Sequence, residues 1–207
     1  MTTVTLLDEI KKLKAITDVG LLYCTNEFDR ERYSEIREIS FSLLAKVTDY
    51  SLEDLKTAYP LAKDYPTAKV DIRGLVLSPD QKILMVKESA DGRWALPGGW
   101  ADVGYSPKET VMKEVKEEAG LEVTVNRLLA VFDKRKHPHP AEDLYVYKLV
   151  FFCAAASFEL KKGFDVLDVS WFPINNLPPL SEDRILKNQI EIVYQKAMGG
   201  NTETYFD

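Results

Sequence analysis

Apolar side chains in the first third of the chain recur every three or four residues, which is the spacing of an amphipathic helix. The first stripe includes Leu6, Ile10 and Leu13. A second helical pattern runs from residue 29 to residue 47, and Ser51 suits the N-cap of a short helix that ends before Tyr59. We therefore predict a small all-helical N-terminal domain over residues 1–66.

Beyond a linker that ends at Pro66, the pattern changes to short apolar runs of the kind that form strands. Two of these runs, Val70–Val76 and Ile83–Val86, flank a turn and predict a hairpin. Further strand-like runs follow at Val123–Asp133, Leu144–Ala156 and Val169–Phe172. A final helix is expected over Glu182–Met198. The mixture of strands and helices predicts an α/β domain over residues 67–207.

One short helix inside the second domain is sharply bounded by local signals. Ser106 suits its N-cap, Pro107 its first helical position, and Glu109 completes a capping box. Gly120 is the residue type expected just beyond its C-terminal end. These signals predict a helix from Pro107 to the residue before Gly120.

Three glutamates of this helix, Glu114, Glu117 and Glu118, fall within about 100° of one another around its axis. The adjoining apolar face consists of Val111, Met112, Val115 and Ala119, and Lys113 and Lys116 are expected on the opposite side. Carboxylates crowded in this way repel one another unless a positive charge lies among them. A hard divalent cation with oxygen ligands meets that requirement.

This stretch resembles the signature of the Nudix hydrolase family, G-x5-E-x7-R-E-U-x-E-E-x-G-U, in which U is an aliphatic residue. The matching positions are Gly99, Glu114, Glu117, Glu118, Gly120 and Leu121. Two positions depart, because Tyr105 replaces the first glutamate and Lys113 replaces the arginine. In the family that arginine commonly orients the carboxylates, and a lysine keeps the charge but loses the planar two-pronged contact.

The resemblance implies an α/β/α sandwich with a mixed sheet and a metal-dependent pyrophosphohydrolase activity. Its substrate is expected to be a nucleoside diphosphate linked to another moiety. The cofactor is expected to be Mg²⁺ or Mn²⁺, held by Glu114, Glu117 and Glu118, which are also the expected catalytic residues, together with the carbonyl of Gly98. Which carboxylate serves as the general base stays open.

The helical front end resembles that of a subgroup of bacterial Nudix proteins, some of which act on ADP-ribose or CDP-choline. By this resemblance we expect a homodimer in which the helices contribute to dimerisation and to the shape of the pocket. A DNA-binding role for the helices is disfavoured, because acidic residues outnumber basic ones in residues 1–66.

The candidate substrate-binding residues form two groups. Arg93, Trp100 and Asp102 lie close to the glutamate helix in sequence. Arg93 is either a phosphate ligand or a solvated surface residue, and Trp100 either stacks on a base or fills the core. The second group comprises Arg135, His137 and His139 in a basic stretch between two predicted strands. That stretch either meets phosphate or sugar or is a solvent-exposed turn.

Charge and composition exclude several classes of function. The net charge of −6 disfavours nucleic acid as a ligand, although cleavage of RNA ends stays a third possibility. No run approaches the roughly 20 apolar residues of a membrane span, and the N-terminus lacks a signal peptide. Cys24 and Cys153 are expected as reduced thiols, with a disulfide as the alternative, so we expect a cytoplasmic protein.

A second hypothesis comes from a different class of function. Tyr105 and Lys113 depart from the family signature, and both departures lie beside the expected metal site. A catalytically weak Nudix-fold protein could instead bind a nucleotide and signal through its helical half. Turnover in a substrate panel with and without Mg²⁺ separates such a sensor from an enzyme.

Overall fold

The computed structural model describes residues 5–200 and 202–207, and it divides into two compact units. The first unit extends to Ala68 and includes a second segment, Ala141–Tyr145. The second unit comprises Lys69–Pro140 and Val146–Asp207. Residues 1–4 lie outside the described residues. They belong to the predicted helical domain and to the N-terminus in which no signal peptide was predicted. The boundary after residue 66 stays a prediction.

In its described residues the first unit contains three helices: α1 (Leu6–Tyr23), α2 (Glu27–Val47) and α3 (Leu52–Ala58). Each begins after a residue whose side chain accepts a hydrogen bond from a first-turn amide, and these N-caps are Thr5, Asn26 and Ser51. The core of the unit contains Ile10, Phe41, Leu44 and Leu55. The helices predicted in this part of the sequence are confirmed.

Polar contacts attach the segment Ala141–Tyr145 to the helices of the first unit. Lys11 donates a hydrogen bond to the carbonyl of Glu142 at 2.9 Å, and the Tyr145 hydroxyl donates to the carbonyl of Asp8 at 2.8 Å. The Tyr59 hydroxyl donates to Asp143. The sequence did not predict that this segment belongs to the first unit, since it lies more than 70 residues beyond the end of α3.

The second unit contains two helices and eight strands in its described residues. The helices are α4 (Pro107–Ala119) and α5 (Lys187–Met198), and a 3-10 turn covers Lys134–Lys136. The strands are β1 (Lys69–Val76), β2 (Ile83–Glu88), β3 (Trp94–Ala95), β4 (Gly98–Trp100), β5 (Val123–Asp133), β6 (Val146–Ala155), β7 (Val166–Phe172) and β8 (Tyr205–Phe206).

The strands form two sheets. One has five strands in the order β4-β1-β6-β5-β8, and the other has three in the order β3-β2-β7. In the larger sheet, β1 pairs with β6 and β5 pairs with β8 in parallel, whereas its other pairs are antiparallel. The predicted mixed α/β fold is therefore confirmed.

Strand β1 separates two apolar clusters, because successive side chains of a strand point to opposite faces. Ile72 and Val76 pack in one cluster with Val111 and Val115 of α4, and their side chains are fully buried. Leu75 packs in the other cluster with residues of α5, namely Ile190 and Val193. Strand β1 therefore contributes side chains to two clusters, one that includes α4 and one that includes α5.

The predicted hairpin between the first two strands is wrong. The turn exists, and the amide of Ser78 donates to the carbonyl of Lys82 at 2.9 Å. However, β1 and β2 belong to different sheets, and only one bridge, between Leu77 and Ile83, joins their ends. Both edges of β1 are occupied by β4 and β6 instead. The final helix is also shorter than predicted, since it begins at Lys187.

The structure bears on two expectations drawn from composition, which concern the cysteines and a membrane span. Cys24 and Cys153 are both free thiols, and burial raises the pKa of Cys153 to about 12. Within residues 5–200 and 202–207, no helix has the length and apolar character needed to cross a bilayer.

Candidate active site

Helix α4 forms as its terminal signals predict. The Ser106 hydroxyl accepts a hydrogen bond from the amide of Glu109, and the Glu109 carboxylate accepts one from the amide of Ser106 at 2.8 Å. Gly120 ends the helix in the left-handed conformation with φ +72°. Since Val111 and Val115 face the sheet, the orientation of the helix and of its glutamates is fixed.

A glycine pair brings the backbone of β4 against this helix. Gly98 has φ +142°, and a Cβ at this position would lie 2.0 Å from the carbonyl oxygen of Ile72, so only glycine fits. A Cβ at Gly99 would lie 3.0 Å from a carboxylate oxygen of Glu114. The Gly98 amide donates a hydrogen bond of 2.8 Å to Glu118. The two glycines therefore lie next to the carboxylates of α4.

The three predicted glutamates have different environments. Glu118 is buried, with 4% of its surface exposed, whereas Glu114 is half-buried and Glu117 is exposed. Burial raises the pKa of Glu118 to about 8, and nearby Glu88 and Glu114 raise it further against the opposing effects of Arg73 and the Gly98 amide. Burial also raises the pKa of Glu114. Burial therefore favours the protonated, neutral forms of these two carboxyl groups.

The expectation that Lys113 lies opposite the carboxylates is wrong. Its ammonium group lies 2.9 Å from Asp102 and 3.5 Å from Glu117. Residues four positions apart are neighbours on a helix surface, which accounts for the second contact. The hydrogen bond to Asp102 raises the pKa of Lys113, and Glu117 adds to that effect. Lys116 does lie apart, 2.7 Å from Glu122.

Three charged residues at the site were missed in the sequence. Arg73 and Asp71 lie on β1, Glu88 ends β2, and all three are buried. The guanidinium of Arg73 contacts Asp71 at 2.9 Å, and Lys148 also pairs with Asp71. Burial opposes ionisation of Asp71, yet Arg73 and Lys148 lower the pKa of its carboxyl to about 2. The available signal in the sequence was the presence of two charged residues, Asp71 and Arg73, within the otherwise apolar run of β1.

The first group of predicted substrate residues lies on the chain segments that precede and follow the glycine pair. Arg93 is exposed in the loop before β3, and Asp102 is held by Lys113 as described above. Trp100 follows the glycines directly and is 49% exposed, with the Lys69 ammonium 5.5 Å from its ring centroid. The alternative in which Trp100 fills the core is therefore wrong.

The second group lies at the end of β5, on a different element. Arg135 pairs with Asp133, and His137 lies 3.1 Å from the carboxylate of Asp207. His139 donates a hydrogen bond of 2.5 Å from Nδ1 to the carbonyl of Glu182. Burial lowers the pKa of His139 to about 4, so its ring is neutral at pH 7. Both histidines are packed against protein, whereas Arg135 is exposed.

The donor set matches a hard divalent cation. Glu114, Glu117 and Glu118 offer carboxylate oxygens, which Mg²⁺ and Mn²⁺ prefer. Arg73 contacts Asp71 directly, and its effect on the pKa of Glu118 only partly offsets that of burial. Within the described part of the chain, no three His, Cys, Asp or Glu side chains already converge as a metal-binding group. The pairing of Glu117 with Lys113 keeps that side chain occupied.

Family models match both parts of the chain. A model described as the UDP-X-like, N-terminal oligomerisation domain matches residues 5–59, and the NUDIX domain model matches residues 68–192. A putative ADP-ribose pyrophosphatase of Bacillus subtilis (strain 168) is 35% identical over 201 residues, which cover 97% of this chain and 96% of that protein.

Two solved structures are similar in sequence as well as in fold. The crystal structure of a UDP-X diphosphatase aligns over 100% of both chains, with 35% identity and a TM-score of 0.63. An ADP-ribose pyrophosphatase from Streptococcus suis 89-1591 covers 68% of this chain and 100% of its own, with 38% identity and a TM-score of 0.61. The chain thus belongs to the Nudix hydrolase family, as an enzyme that joins the NUDIX domain to a helical N-terminal region of the UDP-X-like type.

Proposed function

We propose that this protein is a Mg²⁺- or Mn²⁺-dependent pyrophosphohydrolase that cleaves a nucleoside diphosphate linked to another moiety. The observation that carries the proposal is the position of Glu118, buried on α4 and bonded to the Gly98 amide, beside Glu114 at Gly99. Nudix hydrolases generally need divalent metal ions. Relatives named as ADP-ribose pyrophosphatases and a UDP-X diphosphatase support ADP-ribose as the first candidate, followed by UDP-linked compounds and CDP-choline.

Each residue of the site has a proposed role. Glu114, Glu117 and Glu118 would hold the cation together with the backbone at Gly98. When bound, the cation would neutralise the diphosphate and lower the pKa of a water molecule. The Gly98 amide keeps one oxygen of Glu118 oriented, which leaves the other oxygen available. Lys113 contacts both Glu117 and Asp102, so its positive charge reduces the repulsion between these two carboxylates.

Substrate contacts are proposed at both groups of candidate residues. Trp100 presents an exposed ring beside the glycine pair, where a nucleobase could stack. Arg93 would contact a phosphate. Asp102 would bind a sugar hydroxyl when Lys113 releases it. In the second group, Arg135, His137 and His139 would meet the phosphate or sugar of the leaving moiety.

A substrate panel tests this proposal. ADP-ribose, a UDP-sugar and CDP-choline are each incubated with the protein in Mg²⁺, in Mn²⁺ and in excess EDTA, and the two phosphorylated products are quantified. We expect turnover of at least one compound with either metal and none with EDTA. Stoichiometric binding without turnover for every compound would contradict an enzymatic role and favour the nucleotide sensor.

We also propose that the protein forms a homodimer through its helical unit. Exposed apolar side chains occupy an arc of about 100° on α1 and a similar arc on α2. They are Leu6, Leu13, Ile16 and Tyr23 on α1, and Phe28, Ile39 and Val47 on α2. Apolar side chains clustered in this way on a surface favour a protein partner. A second copy of the chain is the partner proposed, because the matching family model is described as an oligomerisation domain.

A further inference from the structure

Arg73 is a buried cation that the proposed metal set leaves without a role. It lies on β1 with 5% of its surface exposed, and its guanidinium contacts three different parts of the second unit. Nη2 lies 2.9 Å from Asp71, Nη1 donates to the carbonyl of Leu96 at 3.1 Å, and Nη1 lies 3.5 Å from Glu88. One side chain therefore ties β1 to the end of β2 and to the segment before the glycine pair.

The segment before the glycine pair leads directly to Gly98, whose amide binds Glu118. The register of the sheet places Arg73 directly opposite Gly98, and the Gly98 amide donates to Glu118 at 2.8 Å. The Gly74 amide donates to the carbonyl of Pro97 at 2.9 Å, so the turn is also held one residue beyond Arg73. Arg73 thus fixes Leu96, two residues before the amide that orients the buried carboxylate.

The other basic residues near the site do not make this connection. Lys113 is partly exposed and pairs with Asp102 and Glu117. Lys148 pairs with Asp71, and Arg184 lies 3.0 Å from Glu88. None of these four contacts involves the Leu96–Gly99 turn or Glu118.

We infer that Arg73 is the positioning residue of this site, which holds the Leu96–Gly99 turn and through it sets the orientation of Glu118. The inference rests on the proposed function, since it gives Arg73 a purpose only if Glu118 contributes to cation binding. A planar guanidinium can contact a carboxylate and a carbonyl at once, whereas an ammonium acts as a point charge. Arg73→Lys should therefore keep the charge balance of the buried cluster but lose the contact to Leu96.

The test measures Mn²⁺ binding by electron paramagnetic resonance without substrate, and amide exchange at Gly98 by NMR. For Arg73→Lys we expect Mn²⁺ affinity to fall about 10-fold or more, which is typical for residues that orient metal ligands. Protection of the Gly98 amide should fall, while amides between β1 and β6 keep theirs. With ADP-ribose as substrate, kcat should fall by a similar factor and KM should change less than about threefold.

Two further variants control for a general effect of the substitution. Arg32→Lys makes the same chemical change on the exposed surface of α2 and should leave Mn²⁺ affinity unchanged. If Arg73→Lys does not fold, Arg73→Gln leaves Asp71 paired with Lys148 and carries the same expectation. Circular dichroism and the melting temperature report on folding.

Different results would contradict different parts of the account. Wild-type Mn²⁺ affinity and Gly98 protection in Arg73→Lys would overturn the positioning role alone, provided that Glu118→Gln loses Mn²⁺ binding. A wild-type protein that neither binds Mn²⁺ nor turns over any substrate would overturn the proposed function and this inference with it. A weaker affinity in Arg73→Lys, with an unchanged control, supports both.

Discussion

A carboxylate buried in a protein is unfavourable unless hydrogen bonds or a cation offset the loss of water. Glu118 accepts one hydrogen bond from the Gly98 amide, and it lies near two further carboxylates, Glu88 and Glu114. Arg73 lowers the pKa of Glu118, but its direct contacts are to other groups. At the scale of single residues, a cation bound as proposed would offset the loss of water around Glu118.

The lowered pKa of His139 predicts how stability depends on pH. Burial holds the pKa of its ring at about 4, below the ordinary value of 6.5. Between these two values the unfolded chain binds more protons than the native one, so stability is lost as the pH falls from 6.5 towards 4. Because the ring is only partly buried, we expect about 1–2 kcal/mol from this residue.

Urea unfolding at pH 7.0 and pH 4.5 measures that contribution. His139→Asn keeps a donor for the Glu182 carbonyl and should lose less stability between the two pH values than the wild type. An identical pH dependence in His139→Asn and the wild type would contradict the assignment.

At the scale of elements, α4 depends on its caps and on its apolar face. Ser106→Ala removes the hydroxyl that accepts from Glu109 and should lower the free energy of unfolding by about 1 kcal/mol. Ser51→Ala makes the same change at α3 and serves as a comparison. Chemical denaturation measures both, and full stability in Ser106→Ala would show that packing alone fixes the helix.

The sequence was informative wherever the deciding signals are local. The bounds of α4 follow from Ser106 and Gly120, and those of β5 from one strand-like run of residues. Strand pairing was not predictable, because β1 takes β6 as a neighbour about 75 residues away in place of the adjacent β2.

The same limit applies to the site. The glutamates of α4 are spaced along one helix and were found from sequence, although their different burial was not. Arg73 was missed because its partners Glu88 and Leu96 lie 15 and 23 residues away in the sequence. Contacts of that kind depend on which strands become neighbours, which the pattern of single segments does not determine.

At the scale of the whole molecule, the helical unit carries the prediction of a homodimer. Ile39→Glu places a charge in the exposed apolar arc of α2 and should convert the dimer to a monomer in sedimentation velocity experiments. Phe164→Glu is the control, since Phe164 is 92% exposed in the second unit. A wild-type monomer, or a dimer that persists in Ile39→Glu, would contradict the proposed interface.

The central claim is that carboxylates of α4 hold a divalent cation for cleavage of a diphosphate. It is tested most directly by Mg²⁺-dependent hydrolysis of ADP-ribose, or of the best substrate in the panel, by Glu118→Gln. We predict a loss of kcat of about 100-fold or more with unchanged circular dichroism. Glu122→Gln, on the exposed residue paired with Lys116, should keep the wild-type rate. A Glu118→Gln protein that turns over at the wild-type rate would contradict the claim.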